Sequence, residues 1–248
     1  MFFLKTLGGL WLEHENGLII ELRGRWLALL AMIAAVERAG TSRDRVLGIL
    51  WPELDQVRAS HNLSQLLYNI RRAVGEELTS ADSRMLRLDG SKISVDLEQL
   101  QLAERNADGA EVSRLYGGPF LAGFYLENAP EFERWCAETR ARIARDAEHS
   151  IEQYAERCDR TGEPSVGRAS WRRLCDLDPL NSRFAYQYVL ALAKSGDRGG
   201  AVRHGRAHAA TLKEELGSAP PTRLTELLDR LQRGTFVSTQ REDLFPSP

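Results

Sequence analysis

The sequence predicts a mainly α-helical protein with a small β-rich region at its N-terminus. Apolar residues follow helical spacing over most of the chain beyond residue 25, whereas β-prone runs bounded by turn residues occur before it and again near residue 90. Hydrophobic residues make up 43% and charged residues 27% of the 248 positions, which is ordinary for a globular protein. This composition excludes a disordered chain, a collagen-like chain and a small disulfide scaffold, and it leaves one domain or two open.

Charge and cysteine usage bear on the partners and the compartment. The formal net charge of −2 predicts no general attraction to nucleic acid or to a membrane, so any polyanion must bind to a local patch. Three cysteines without a C-x-x-C pair fit a reducing cytosol, and we interpret them as buried small hydrophobic residues. The longest apolar run, residues 26–36, is too short to cross a bilayer. We therefore expect a cytoplasmic protein without a membrane partner.

Short strands open the chain. Residues 3–7 and 10–12 are β-prone, and Asn16-Gly17 precedes a further β-prone run at residues 18–22. Asn-Gly between two such runs is a strong signal for a β-hairpin. The sequence therefore predicts a small sheet with a hairpin at its start.

Three helices follow the sheet. Helix-spaced apolar residues predict a buried helix within residues 26–36, and Ser42 is suited to cap a second helix that Pro52 ends. A third helix is predicted over residues 57–74, with Gly75 as its C-cap.

A second hairpin is predicted after the third helix. Residues 85–88 and 92–95 are β-prone runs on either side of Asp89-Gly90. The order of small sheet, three helices and hairpin is that of a winged helix-turn-helix with small antiparallel β elements. We predict this domain over residues 1–96.

The remainder of the chain has helical spacing. The helix-breaking turns at residues 161–163 and 195–197 have the same chemistry and lie 34 residues apart, the period of tetratricopeptide repeats. We predict a tetratricopeptide-like α-helical domain over residues 97–233, followed by a disordered tail or linker at residues 234–248. An irregular helical bundle with a coincidental spacing is the alternative.

Catalytic signatures are missing from the sequence. It contains no P-loop, no G-x-G-x-x-G, no G-x-S-x-G and no H-E-x-x-H motif, so we predict neither an enzyme nor a cofactor. His204 and His208 are spaced to share a helix face, but no carboxylate or cysteine close in sequence completes a metal site. We therefore predict no metal and interpret these two histidines as solvated surface residues.

The third helix has a polar face of unusual composition. The apolar stripe comprises Ala59, Leu63, Leu66, Leu67, Ile70 and Val74. The other side carries amide and cationic groups, and no acidic residue occurs between Val57 and Val74. Asparagine and glutamine can pair with adenine, and arginine with guanine or with phosphates. The predicted base contacts are Asn62, Gln65 and Asn69, placed in the middle of this face, with Arg58 and His61. In the alternative interpretation, the arginines only solvate a core helix.

Further cations are predicted to hold the phosphate backbone. Arg71 and Arg72 end the third helix, and the second hairpin adds Arg84, Arg87 and Lys92 in the position of a wing. Residues 1–100 nevertheless contain 12 basic and 13 acidic residues, a net charge of −1. Affinity for DNA should therefore be modest and should depend on this patch alone.

Four short motifs lie in the predicted helix-turn-helix. The sequence Ser-Arg-Asp-Arg at residues 42–45 and Leu-Trp-Pro at residues 50–52 open it. Arg-Ala-Ser-His-Asn-Leu at residues 58–63 leads to Ile-Arg-Arg-Ala-Val-Gly at residues 70–75 in the third helix. With these motifs the first domain resembles the OmpR-type winged helix of the antibiotic-regulatory-protein (SARP) class of bacterial activators, in which the third helix is the recognition helix. The resemblance implies a DNA-binding transcriptional regulator.

The second half resembles the bacterial transcriptional activator domain, BTAD, that follows this winged helix. The resemblance rests on Leu-Tyr-Gly-Gly-Pro-Phe-Leu-Ala-Gly-Phe at residues 115–124, Ala-Pro-Glu-Phe-Glu-Arg-Trp at 129–135, Asp-Pro-Leu-Asn at 178–181 and Glu-Glu-Leu-Gly at 214–217. It implies an activator that binds direct repeats in promoter double-stranded DNA and recruits RNA polymerase through its sigma or alpha subunit, and it leaves a homodimer open.

The resemblance also implies which loop meets the polymerase. In OmpR-like proteins the loop before the recognition helix faces polymerase, and here that loop contains Trp51, Glu53 and Asp55. A second class of function stays open at this point: a protein-interaction module that does not bind DNA, or the N-terminal part of a longer signalling protein. The DNA-binding activator and this second class differ in whether the polar face of the third helix is exposed.

Overall fold

A computed structural model describes residues 1–36, 40–81 and 84–236. The chain packs into two compact units, Met1–Ser150 and Ile151–Pro248. The tail was predicted from residue 234, and its residues 237–248 lie outside the described part. No helix within the described residues is long and apolar enough to cross a membrane.

The described part is mainly helical, as predicted. Its helices are α1 (Gly24–Ala34), α2 (Arg43–Leu50), α3 (Gln56–Val74), α4 (Asp96–Arg105), α5 (Gly109–Leu115), α6 (Pro130–Thr161), α7 (Pro164–Leu177), α8 (Ser182–Lys194), α9 (Arg198–Leu216) and α10 (Thr222–Arg233). Its strands are β1 (Phe2–Lys5), β2 (Trp11–His14), β3 (Ile19–Ile20), β4 (Thr41–Ser42), β5 (Thr79–Ala81), β6 (Met85–Leu88) and β7 (Ile93–Val95). The order matches the predicted winged helix-turn-helix followed by a helical domain.

Two small sheets frame the first unit. One has the strand order β3-β2-β1-β7 and the other the order β4-β6-β5. The predicted hairpin at Asn16-Gly17 is confirmed, because β2 and β3 pair antiparallel and Gly17 takes a left-handed φ of 82°. The pair β1–β7 is parallel and adds a crossover to the antiparallel strands.

The predicted hairpin across residues 85–88 and 92–95 is wrong. β6 pairs instead with β4 and β5, and β7 lies beside β1 in the other sheet. Ile93 and Val95 are buried there, each 1% exposed. The turn itself forms, since the Lys92 N–H donates to the Asp89 carbonyl at 2.9 Å, but the strand after it is buried in the other sheet. The hairpin in the position of the wing is therefore β5–β6.

Helix α4 is joined to the N-terminal sheet through its first residue. The carboxylate of Asp96 accepts hydrogen bonds from the Thr6 N–H at 2.9 Å, from the Thr6 hydroxyl at 2.6 Å and from the Leu7 N–H at 3.1 Å. α4 also contacts β1 and β7. The helix that begins at residue 96 therefore packs with the strands that precede it, while the domain boundary at residues 96/97 stays a prediction.

An aromatic cluster holds the middle of the first unit. Phe120 and Phe132 are fully buried, and both contact the ring of Trp135, with centroid separations of 6.0 and 5.3 Å. The Arg140 guanidinium donates to the carbonyls of Phe120 and Leu121 at 2.7 and 3.1 Å. These contacts fasten the loop before α6 to that helix.

The second unit consists of successive helices that pack on their neighbours in sequence. α7 contacts α8, α8 contacts α9, and α9 contacts α10. Gly162 and Gly196 take left-handed φ values of 82° and 84°, so both predicted helix-breaking turns are confirmed. This succession of helices agrees with the predicted tetratricopeptide-like domain.

The prediction that His204 and His208 are solvated surface residues is wrong. His208 is only 6% exposed, and its Nε2 and Nδ1 lie 2.9 Å from the Ser182 hydroxyl and 3.1 Å from the Pro179 carbonyl. His204 is half-buried and packs edge-on against Tyr188, with 4.7 Å between the two ring centres. Small residues on the same face of α9 cause this burial, since they let the neighbouring helices approach closely. The signal for it is the helical spacing of Ala201, Gly205, His208 and Leu212, which are all buried.

Candidate nucleic-acid interface

Helix α3 is fixed in the first unit by its caps and by one apolar face. The Asp55 carboxylate accepts a hydrogen bond from the Arg58 N–H at 3.0 Å, which caps the N-terminus. Gly75 ends the helix with a left-handed φ of 87°. The buried residues of α3 are Ala59, Leu63, Leu66 and Ile70. Contacts with α1 and α2 cover this face, so the opposite face is left to solvent.

The predicted base-contacting residues do not all lie at the centre of the exposed face. Arg58, His61 and Gln65 are exposed, whereas Asn62 and Asn69 are half-buried. Each asparagine is a helical neighbour of the buried stripe, because Asn62 follows Ala59 by three residues and Asn69 follows Leu66 by three. The two asparagines therefore border the exposed face, and the expectation that they lie in its middle is wrong.

Two of the predicted base-contacting residues are joined by a hydrogen bond. The Gln65 side-chain amide donates to Asn69 Oδ1 at 3.3 Å, one helical turn away. This bond leaves the Gln65 Oε1 as an acceptor and the Asn69 amide as a donor. An adjacent acceptor and donor match the N6 amino group and N7 of adenine in the major groove.

Sequence reasoning missed three residues at the centre of the exposed face. Val57 is 80% exposed, Tyr68 is 59% exposed, and Ser64 is also exposed. They fall outside the apolar stripe, so they were not assigned to the core. Their side chains carry no charge or amide, so they were not assigned to the DNA contacts either. The signal that could have found them is the spacing of Val57, His61, Ser64 and Tyr68, which forms one row opposite the stripe.

Cations stand at both ends of α3. Arg58 lies near the N-terminus and forms an ion pair with Asp55 at 3.2 Å. Arg71 and Arg72 are exposed in the last turn, and Arg71 lies 4.0 Å from Glu77. Exposed pairs of this kind are weak, so these guanidinium groups remain able to turn toward phosphates.

The wing contains two of its three predicted cations. Arg84 is exposed immediately before β6, and Arg87 lies half-buried on that strand. A side chain at Gly40 would collide with the stem of Arg87, so the glycine lets this arginine lie against the chain. Lys92 is not part of the wing: its ammonium donates to the Glu77 carbonyl at 3.0 Å and pairs with Asp89 at 3.7 Å.

The loop predicted to face polymerase presents acidic side chains. Trp51 is only 4% exposed, and the Arg25 guanidinium lies 6.0 Å from its ring centre. Glu53 and Asp55 are exposed. Trp51 thus supports the loop from within, and its side chain is not available to a partner.

Within the described residues no group of histidines, cysteines and carboxylates could hold a metal ion.

Comparison with known proteins places the chain in a family. The family model for the bacterial transcriptional activator domain matches residues 84–232, more than half of the chain. The fold is similar to that of Mycobacterium tuberculosis EmbR, solved in complex with a low affinity phosphopeptide, with a TM-score of 0.59 and 20% sequence identity. The likeness covers 95% of this chain and 66% of EmbR, so the chain spans slightly less than two thirds of that protein.

At 20% identity the likeness to EmbR shows the fold, and the family model shows the membership. A comparison with curated protein sequences gives no significant match. The chain belongs to the bacterial transcriptional activator domain family, as its resemblance to SARP-class activators predicts.

Proposed function

We propose that the protein is a sequence-specific activator that reads promoter direct repeats with α3 and recruits RNA polymerase. The observation that carries the proposal is the exposed face of α3, which has no carboxylate along the whole helix. Other exposed helical faces of the first unit mix charges: on α6, Arg134 pairs with Glu131 at 2.9 Å and Arg142 with Asp146 at 3.5 Å. A carboxylate-free face favours a polyanionic partner.

The proposed contacts divide into two groups by chemistry. Gln65 and Asn69 offer a linked acceptor and donor to a base edge, and Asn62 and His61 lie beside them on the helix. The guanidinium groups of Arg58, Arg71, Arg72, Arg84 and Arg87 are suited to phosphates. Phosphate contacts give affinity and base contacts give sequence preference, so the two groups can be tested separately.

The primary test is the selection of bound sequences from a pool of random duplex DNA with the full chain. We expect an enriched motif in direct repeat, and a plot of log affinity against log salt with a slope of about −4 to −5 for four to six phosphate contacts. Arg134→Ala removes an exposed cation from α6 and is the matched control, since it should leave the slope unchanged. Absence of duplex binding at about 50 mM salt would overturn the proposal in favour of an interaction module.

The proposed polymerase contact is the acidic loop before α3. Glu53 is the informative position, because it is exposed and takes no part in capping the helix, whereas Asp55 is the N-cap of α3. In transcription with purified polymerase, Glu53→Ala should lower promoter activation while the DNA footprint stays intact. A matched control is Glu15→Ala, an exposed carboxylate near the N-terminus. Equal activation by Glu53→Ala and the unaltered chain would remove this loop from the polymerase interface.

A further inference from the structure

The outer face of α3 carries an apolar group near each end. Val57 is 80% exposed in the first turn and Tyr68 is 59% exposed three turns later, with His61 and Ser64 between them in the same row. Val57 and Tyr68 are 11 positions apart, which corresponds to about 16.5 Å of helix at 1.5 Å per residue. These side chains point away from the buried stripe, so the core does not account for them.

The charges around the row indicate what covers it. Arg58 stands beside Val57, and Arg71 and Arg72 follow Tyr68, so cations flank the apolar groups at both ends. A partner must therefore combine negative charge along its edges with apolar groups between them. Duplex DNA has this combination, because phosphates border the major groove and the thymine C5-methyl group is the apolar feature that the bases display in it.

We propose that Val57 and Tyr68 contact thymine methyl groups, and that the preferred site carries thymines at two positions up to about five base pairs apart. The separation follows from the length of the row and the 3.4 Å rise of DNA. The inference rests on the proposed function and deepens it by adding apolar recognition of thymine to the amide recognition of adenine. Val57 and Tyr68 thus set sequence preference without a hydrogen bond to a base.

The test replaces each thymine of the selected site, one at a time, with deoxyuridine. This change removes only the methyl group and keeps every hydrogen-bonding atom of the base. Burial of one methyl-sized group corresponds to about a fourfold change in affinity, so uracil at the two positions should weaken binding by about that factor each. Uracil elsewhere in the site should have no effect.

Variants assign each thymine to its side chain. Val57→Ala should abolish the difference between thymine and uracil at one position, and Tyr68→Ala at the other. Tyr68→Phe should keep the difference, because the ring is retained. Leu18→Ala and Tyr125→Ala are matched controls, since these exposed residues lie outside α3 and should leave both differences unchanged.

Failure of this inference is distinct from failure of the proposed function. If the chain binds its selected site and uracil substitutes for thymine at every position without loss, the inference is overturned while DNA binding stands. If the uracil effect persists at both positions in Val57→Ala and at both positions in Tyr68→Ala, these two residues do not contact the thymine methyl groups. If no duplex is bound, the proposed function and the inference fall together.

Discussion

The carboxylate of Asp96 receives both the backbone N–H and the hydroxyl of Thr6, across 90 residues of sequence. It also accepts from the N–H groups of Leu7 and Leu97, so one side chain satisfies donors on the N-terminal sheet and at the start of α4. These hydrogen bonds join the end of β1 to the start of α4.

Removal of this carboxylate should destabilise the first unit. Asp96→Ala leaves several donors without an acceptor in a partly buried position, and we expect a loss of about 2–4 kcal/mol in the free energy of unfolding. Asp96→Asn should lose less, because the amide oxygen still accepts. Chemical denaturation checks both values, with Asp146→Ala as the surface control. A loss below about 0.5 kcal/mol for Asp96→Ala would show that these bonds add little to stability.

Features set by neighbours in sequence were predictable, and features set by distant partners were not. Ser42 and Gly75 were identified as caps because capping depends on the few residues around a helix end, and their geometry confirms it. The pairing of β7 was missed because Val95 lies beside Leu4, which no local turn signal indicates. The burial of His208 was missed although it shares a helical row with Ala201 and Leu212, whereas its partners Ser182 and Pro179, from other segments, could not be predicted.

For the candidate site, the helix was predicted from the sequence, but the positions of several residues on it were not. Residue chemistry selected α3 correctly as an exposed polar helix, because a run without acidic residues is visible in the sequence. It did not place Asn62 at the border of the face or Tyr68 near its centre, although the helical spacing of both residues relative to the apolar stripe indicates these positions. Lys92 was assigned to the wing because of the turn chemistry around it, but the strand that follows it, β7, pairs with β1 in the other sheet.

The buried histidine pair predicts that stability falls in mild acid. Burial lowers the pKa of His208 below its ordinary value of 6.5, and burial together with the charge of His208 lowers that of His204. Their neutral forms are favoured in the folded state, so the unfolded chain binds more protons below pH 6.5. The stability that these histidines allow is fully present above about pH 6.5 and is lost as the pH falls through their folded pKa values.

Urea unfolding at pH 8 and at pH 5.5 measures this loss. Replacement of both histidines, as His204→Gln with His208→Gln, should reduce the difference in stability between the two pH values. His61→Gln, at an exposed histidine of α3, is the control and should leave the difference as it is in the unaltered chain. A difference that survives unchanged in the double variant would assign the acid sensitivity to other groups.

The thiol of Cys175 should be nearly inert in the folded protein. Burial raises its pKa to about 12, and the nearby carboxylates of Asp176 and Asp178 act in the same direction. Burial likewise raises the pKa of Cys136. Because the thiolate is the reactive form, alkylation at pH 8 should be slow in the folded chain and rapid after denaturation. Mass spectrometry of the labelled peptides checks this, and rapid labelling of Cys175 in the folded chain would contradict its burial.

Truncation of a base-contacting residue and truncation of a phosphate-contacting residue should change DNA binding in different ways. Asn69→Ala removes the donor that complements adenine and also frees Gln65, so it should cost about 1–3 kcal/mol on the preferred site and relax the choice of base there. Binding to unrelated sequences should hardly change. Arg72→Ala and Arg87→Ala should instead weaken all sequences alike and make the salt slope shallower by about 1 each.

Lys92→Ala is the comparison variant for this difference, because Lys92 does not lie on the hairpin that carries Arg87. Its ammonium is held by the Glu77 carbonyl and by Asp89, outside the β5–β6 hairpin, so its removal should leave the salt slope unchanged. Titrations of the four variants on the selected site and on an unrelated duplex at several salt concentrations measure both effects. If Lys92→Ala lowers the slope as Arg87→Ala does, the wing extends beyond this hairpin. If Asn69→Ala leaves base preference intact, Asn69 does not contact a base, and Tyr68 and His61 of the row are the next residues to be truncated.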